Sequence, residues 1–140
     1  MTDNGAPKIG QVWRYPFLWR HEADAGRLDG QKQRPTAVSL LTTNTDGEAV
    51  VMLVPMTTLE PENNPFAVEV PETEMRRGGL NPSVRAWIIA NEYNYDAYQR
   101  TYYLEPKAKL GEFSAMFIKQ VQEKMIAAIN ARKAKGVGRN

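Results

Sequence analysis

Arg34 and Thr57 are the pair in this sequence whose types and spacing suit chemistry on a phosphate. Arg34 stands at the start of the β-rich run Gln33 to Leu41, and Thr57-Thr58 closes the answering run Val50 to Thr58. Between them lies the polar stretch Thr42 to Glu48 with its Asp46-Gly47 turn signal, so the two runs read as a β-hairpin. In such a hairpin the start of one strand lies beside the end of the other. Arg34 and Thr57 are therefore expected together at one end of a small sheet. A planar fork of donors matches the oxygens of a phosphate, and a hydroxyl beside it adds one more hydrogen bond. Proton transfer needs a further group, and two are candidates. His21 is the only histidine, a type that titrates near neutrality, and it lies on the segment leading to Arg34. Glu92 is the second. Trp19, Arg20, Thr58 and Asn91 complete the expected substrate-binding set: a ring for stacking, a cation, a hydroxyl and an amide. Each residue also has an ordinary structural role open to it. Arg34 would form a surface ion pair, Thr57 would bond local backbone, His21 would be solvated, and Glu92 would form a salt bridge.

The elements that must position these residues follow from pattern. Gln11 to Phe17 alternates in its first half and reads as a strand, with Pro16 placing its end at an edge or a bend. Leu18 to Lys32 has no strand pattern, carries Gly26 and Gly30, and reads as a long loop overhanging Arg34. Pro65 to Val70 reads as a short strand. Pro71 to Gly79 reads as a helical turn, with Pro at its start, acids early, bases late and Gly after its end. Val84 to Ala90 reads as a buried strand, Asn91 to Tyr98 and Thr101 to Leu104 as β-flavoured, and Lys107 to Gly111 as a turn. Ser114 to about Lys133 is the one long helical pattern, with Ser114 as N-cap and Phe117, Val121, Met125, Ala128 and Ile129 as its apolar stripe. Trp13 and Trp87 are expected in the core, while Tyr93 and Tyr95 join Trp19 as possible stacking surfaces. The sum is a single, mainly β domain: a small antiparallel barrel over 8–112, a helix over 113–133, and flexible ends at 1–7 and 134–140.

Composition narrows the class. With 42% hydrophobic and 24% charged residues, the 140-residue chain resembles ordinary globular proteins. It has no cysteine, so disulfides and thiolate metal sites are excluded. One histidine rules out a multi-histidine metal site, and no metal or cofactor is expected. No apolar run approaches the length of a membrane helix, so no membrane partner is expected, and the absence of cysteine suits the cytoplasm. The net charge of +2 hides an uneven distribution. Lys8, Arg14, Arg20, Arg27, Lys32 and Arg34 crowd the first quarter, whereas Pro35 to Met75 has no Lys or Arg. Such a basic segment can approach nucleic acid or simply be solvated.

Several short motifs stand in a telling order. Gly10-Gln11-Val12-Trp13 opens the first strand, and a glycine-bearing loop leads to Arg34-Pro35-Thr36-Ala37-Val38. Val54-Pro55-Met56-Thr57-Thr58, Pro65-Phe66-Ala67-Val68-Glu69-Val70, Gly79-Leu80 with Ser83-Val84, and Ala90-Asn91-Glu92-Tyr93 follow. As an ordered set they resemble the PemK/MazF family of toxins from type II toxin–antitoxin systems. The resemblance implies an SH3-like barrel with a C-terminal helix. It implies a growth-inhibiting hydrolase that cleaves single-stranded RNA without metal. It further implies a cytoplasmic homodimer held inactive by a small antitoxin protein, with DNA reached only indirectly through that antitoxin. Arg34 and Thr57 match the family's functional arginine and threonine. Asn91 stands where some members have an aspartate base, and Ile89 where some have an arginine acid. The first loop, Phe17 to Lys32, is longer here and carries Trp19, His21, Glu22 and Asp24. Metal-free RNA cleavage needs a base, positive charge at the phosphorane and an acid. On this reading Arg34 supplies the charge, and proton transfer falls to His21 or Glu92. The alternative is a catalytically weak or inactive SH3-like module that binds a peptide or RNA.

Overall fold

The computed structural model describes residues 6–28, 32–101 and 103–139. Its frame is an antiparallel meander of β1 (Gln11–Tyr15), β2 (Arg34–Thr43) and β3 (Ala49–Thr57). The β2–β3 hairpin is the one expected, with Asn44 closing its turn by accepting from Asp46 N and Glu48 N. Beyond it come β4 (Ala67–Glu69), α2 (Glu72–Arg77), β5 (Trp87–Ile89), β6 (Glu92–Ala97), β7 (Lys109–Glu112), α3 (Ala115–Asn130) and β8 (Lys135–Gly138). A short α1 (Arg20–Asp24) lies between β1 and β2. The strand order is β4-β5-β3-β2-β1-β7, with β6 also on β3 and β8 on β6. Pairing is antiparallel except between β6 and β8, which run parallel. The fold is thus mainly β with a C-terminal helix. Among the described residues no pairing joins β4 to β7, so the sheet curls without closing and meets the barrel description only loosely.

β3 is the branching strand. One edge pairs with β2 throughout; the other pairs Val50–Leu53 with β6 and Met56–Thr57 with β5. Pro55, which has no N–H to donate, lies at that handover. Alternation then sends side chains into two cores. Val12, Ala37, Val54 and Ile88 pack with Phe117, Val121 and Met125 of α3. Trp13, Tyr15, Phe17, Val38 and Leu53 form the second core with Leu104. Trp13 and Trp87 are buried, as their strand positions require. Ser114 caps α3 by accepting from Phe117 N at 3.1 Å, and its hydroxyl donates to Glu74 Oε2 at 2.6 Å.

Four segments differ from the sequence reading. Part of the first loop is α1: Glu22 accepts from Trp19 N at 3.1 Å, and Glu92 accepts from Arg20 N at 2.9 Å. These side chains satisfy two of the donors a helix start leaves open. Gly30 and the end of that loop lie outside the described residues. Lys109–Glu112 is a strand on β1 rather than a turn, while Thr101 to Leu104, Tyr102 aside, is not a strand. The helix stripe is shifted, with Ile118 buried and Ile129 exposed. Finally, the tail at 134–140 is not frayed through Gly138. Gly136 and Gly138 lie against the Tyr93 and Tyr95 rings, where a Cβ would come within 2.5 Å and 2.8 Å of ring atoms. Val137 is buried between them. The expected loose leader falls mostly on residues 1–5, outside the described residues.

Candidate functional site

The β1–β2 and β2–β3 registers fix the site. Thr36 pairs with Pro55, so two steps further Arg34 stands opposite Thr57. Arg34 donates from Nη1 to Met56 O at 3.4 Å. Around this end opens a hollow of about 560 Å³. Lys32, Gln33, Arg34, Pro35, Thr57 and Thr58 form one wall, and Met75, Leu80, Asn81, Val84 and Ala86 the other. The second wall exists because α2 is pinned to β7. Gly79 (φ 73°) meets the Leu110 carbonyl where a Cβ would overlap it, so the chain turns there and sends Leu80 and Asn81 back over the hollow.

Arg34 is held rather than free to swing. Its guanidinium lies over the Trp19 ring at 5.0 Å to the centroid, a contact worth about 1–2 kcal/mol when partly desolvated. Its Nε is buried and has no hydrogen-bond partner among the described residues. Burial pushes the guanidinium below the ordinary arginine value, while the carboxylate of Glu22 opposes that shift. The group stays cationic, as arginine does in proteins. A desolvated, partly satisfied cation at the edge of a hollow favours an anion.

Trp19 is placed by a clasp. Asn94, fully buried, accepts from Leu18 N at 2.9 Å and donates to Leu18 O at 2.8 Å. Arg139 donates from Nη1 to Pro16 O at 2.8 Å and to Asn94 Oδ1 at 3.2 Å. The segment 16–19 is therefore fixed on both sides, and Trp19 is delivered under Arg34.

The other expected residues divide. Thr57 lines the hollow, and its hydroxyl accepts from Leu59 N at 3.1 Å, the local backbone role open to it. The hydroxyl proton remains available to donate. Thr58 lines the hollow and is exposed. His21 is exposed on α1, two residues from Trp19. Glu92 holds the start of α1, and Arg20 donates from Nη1 to Gly136 O at 2.9 Å and pairs with Asp24 at 3.1 Å. Asn91 accepts from Asn64 Nδ2 at 3.0 Å. Trp19, Arg20, His21, Asn91 and Glu92 are not among the residues that line the hollow. Ile89, next to them, is a buried core residue. Tyr93 packs on the α3-side core, while Tyr95 is exposed over Gly138.

Sequence reasoning missed Glu22 as the acid facing Arg34, and Asn81 with Leu80 as the opposite wall. No local signal marks either; both follow from how α1 and α2 pack. Among the described residues no three His, Asp or Glu side chains cluster to hold a metal ion, and no helix is long and apolar enough to cross a membrane. A scan against protein-family models and a search of curated proteins give no match.

Proposed function

We propose that this chain binds single-stranded RNA at the Arg34 hollow and cleaves it without metal, as a cytoplasmic PemK/MazF-like endoribonuclease. The observation that carries the reading is Arg34 opposite Thr57 and Thr58, stacked on Trp19, beside a hollow with apolar walls. RNA alternates anionic phosphates with flat bases, and single-strand binders answer with cations and apolar or aromatic surfaces. In this mechanism Arg34 stabilises the phosphorane charge, and the Thr57 hydroxyl donates to the same group. His21, on the helix that also carries Glu22, is the proton-transfer residue. Glu92 is engaged as a helix cap and is assigned a positioning role instead. The family's homodimer and its inhibition by a small antitoxin protein belong to the same proposal.

The test is incubation with a long RNA in EDTA. Discrete fragments with 2′,3′-cyclic ends are expected, and Arg34→Ala should lower the rate by about 10²–10³-fold, the cost of removing one oxyanion donor. Equal cleavage by wild type and Arg34→Ala rejects the assignment.

One observation favours a second reading. Arg20, Asn91 and Glu92 are all committed to structural bonds, so the β5–β6 turn presents no proton-transfer group to the hollow. A module that binds RNA or an antitoxin peptide without cutting would need only the Arg34 wall. Intact RNA with a raised melting temperature on binding identifies that case.

A further inference from the structure

We propose that a second anion-binding subsite, centred on Arg14, adjoins the Arg34 hollow and takes a neighbouring phosphate of the same nucleic-acid strand. This deepens the RNA-binding reading and rests on it. A separate hollow of about 280 Å³ is lined by Arg14, Gln33, Tyr103, Glu105, Lys107 and Ala108. Gln33 lines both hollows, so it is the partition between them. Arg14 pairs with Pro35, itself part of the first hollow's wall. Paired residues in an antiparallel ladder project from the same face, so Arg14 and Pro35 lead from one hollow into the other. Arg34 pairs with Tyr15, the neighbour of Arg14, so the two arginines leave opposite faces of the ladder, and Gln33 is the residue that joins the two hollows.

The charges point the same way. Arg14 is exposed and forms no ion pair among the described residues. Glu105, the one acid in the lining, is paired with Lys107 at 3.6 Å. That pair is exposed and contributes little by itself, but it leaves Arg14 as the uncompensated charge. With Lys32 and Arg34 in the first lining, the two hollows form one cationic track whose first section is apolar on its far wall. A strand that alternates bases and phosphates fits such a track. An acidic peptide offers charge without the flat apolar rings.

The experiment uses fluorescence anisotropy with labelled 2′-O-methyl RNA of two and of five nucleotides, which lacks the attacking hydroxyl. Wild type should bind the pentanucleotide at least about tenfold more tightly than the dinucleotide. Arg14→Ala and Arg14→Glu should collapse that ratio toward one. Arg14→Ala should also reduce the slope of log K against log salt by about 0.7, the value for one single-strand phosphate contact. Far-UV circular dichroism and melting temperature should be unchanged, since the side chain is exposed. Pentanucleotide binding by Arg14→Ala that matches wild type in affinity and salt slope overturns the subsite and leaves the RNA reading standing. Binding of neither oligonucleotide overturns both. An acidic peptide of equal charge that competes as well as the pentanucleotide also overturns the nucleic-acid assignment.

Discussion

Asn94→Leu should be among the most damaging single substitutions outside the hydrophobic cores, and its cost follows from the clasp. The side chain is fully buried and bonds both backbone groups of Leu18, at 2.9 and 2.8 Å. Leucine has nearly the same volume but no polar atoms. Leu18 N–H and C=O would then be buried without partners, at about 1–3 kcal/mol each. Arg139 keeps Pro16 O, so its loss is smaller. The expected destabilisation is about 2–6 kcal/mol. With a urea m-value of about 2 kcal/mol/M, the unfolding midpoint should fall by roughly 1–3 M. Asn94→Asp retains the acceptor for Leu18 N and Arg139 and should lose less. A second readout is local. Trp19 is the half-exposed tryptophan, whereas Trp13 and Trp87 are buried. Acrylamide quenching should therefore rise in Asn94→Leu before global unfolding begins. A midpoint shift below about 0.25 M, with quenching unchanged, would refute the claim that Asn94 anchors the segment.

Two further outcomes are expected. The Tyr15 hydroxyl donates to Asp96 Oδ2 at 2.7 Å, and burial, with Asp96 beside it, raises its pKa far above the ordinary 10.0. The folded state therefore holds this proton where the unfolded chain releases it. Stability from this group is complete below pH 10 and falls above it by about 1.4 kcal/mol per pH unit. Denaturant titrations between pH 9 and 11 should show that slope in wild type and not in Tyr15→Phe. Gly136→Val places branched carbons against the Tyr93 ring. It should strip β8 from β6, and amide exchange at Tyr93 and Tyr95 should accelerate while the β2–β3 hairpin stays protected.

The hairpin was legible because it is built from local rules: a period of two on both strands and an Asn44–Gly47 turn that bonds itself. Arg34 opposite Thr57 followed from register alone. The α3 cap at Ser114 and the α2 punctuation by Pro71 and Gly78 were equally local. What was not legible depends on partners distant in sequence. Gly136-Val137-Gly138 reads as a flexible end, since glycine lowers strand propensity. It becomes a strand because Tyr93 and Tyr95 cover the two glycines. The α1 helix is too short to stand on propensity; Glu92 and Asn94, some 70 residues away, hold its start and the segment before it. Asn91 was expected near Arg34 because it stands where some members of the resembled family have an aspartate. The handover on β3 at Pro55 instead carries it toward Asn64.

The groups placed around Arg34 therefore come from β3, α1 and the residue before α1, not from the β5–β6 turn. Trp19 supplies a surface, Glu22 an opposing charge, and Met56 O a hydrogen bond. Together they restrict the guanidinium without neutralising it, which reduces the entropy that anion binding would otherwise cost. The same packing makes the site dependent on the C-terminal residues. Arg139 and Gly136 accept or donate the bonds that fix Pro16, Asn94 and Arg20, and those residues set where Trp19 lies. The hairpin end brings Arg34, Thr57 and Thr58 to the hollow, whereas His21, two residues beyond Trp19 on α1, is exposed and is not among the residues that line it.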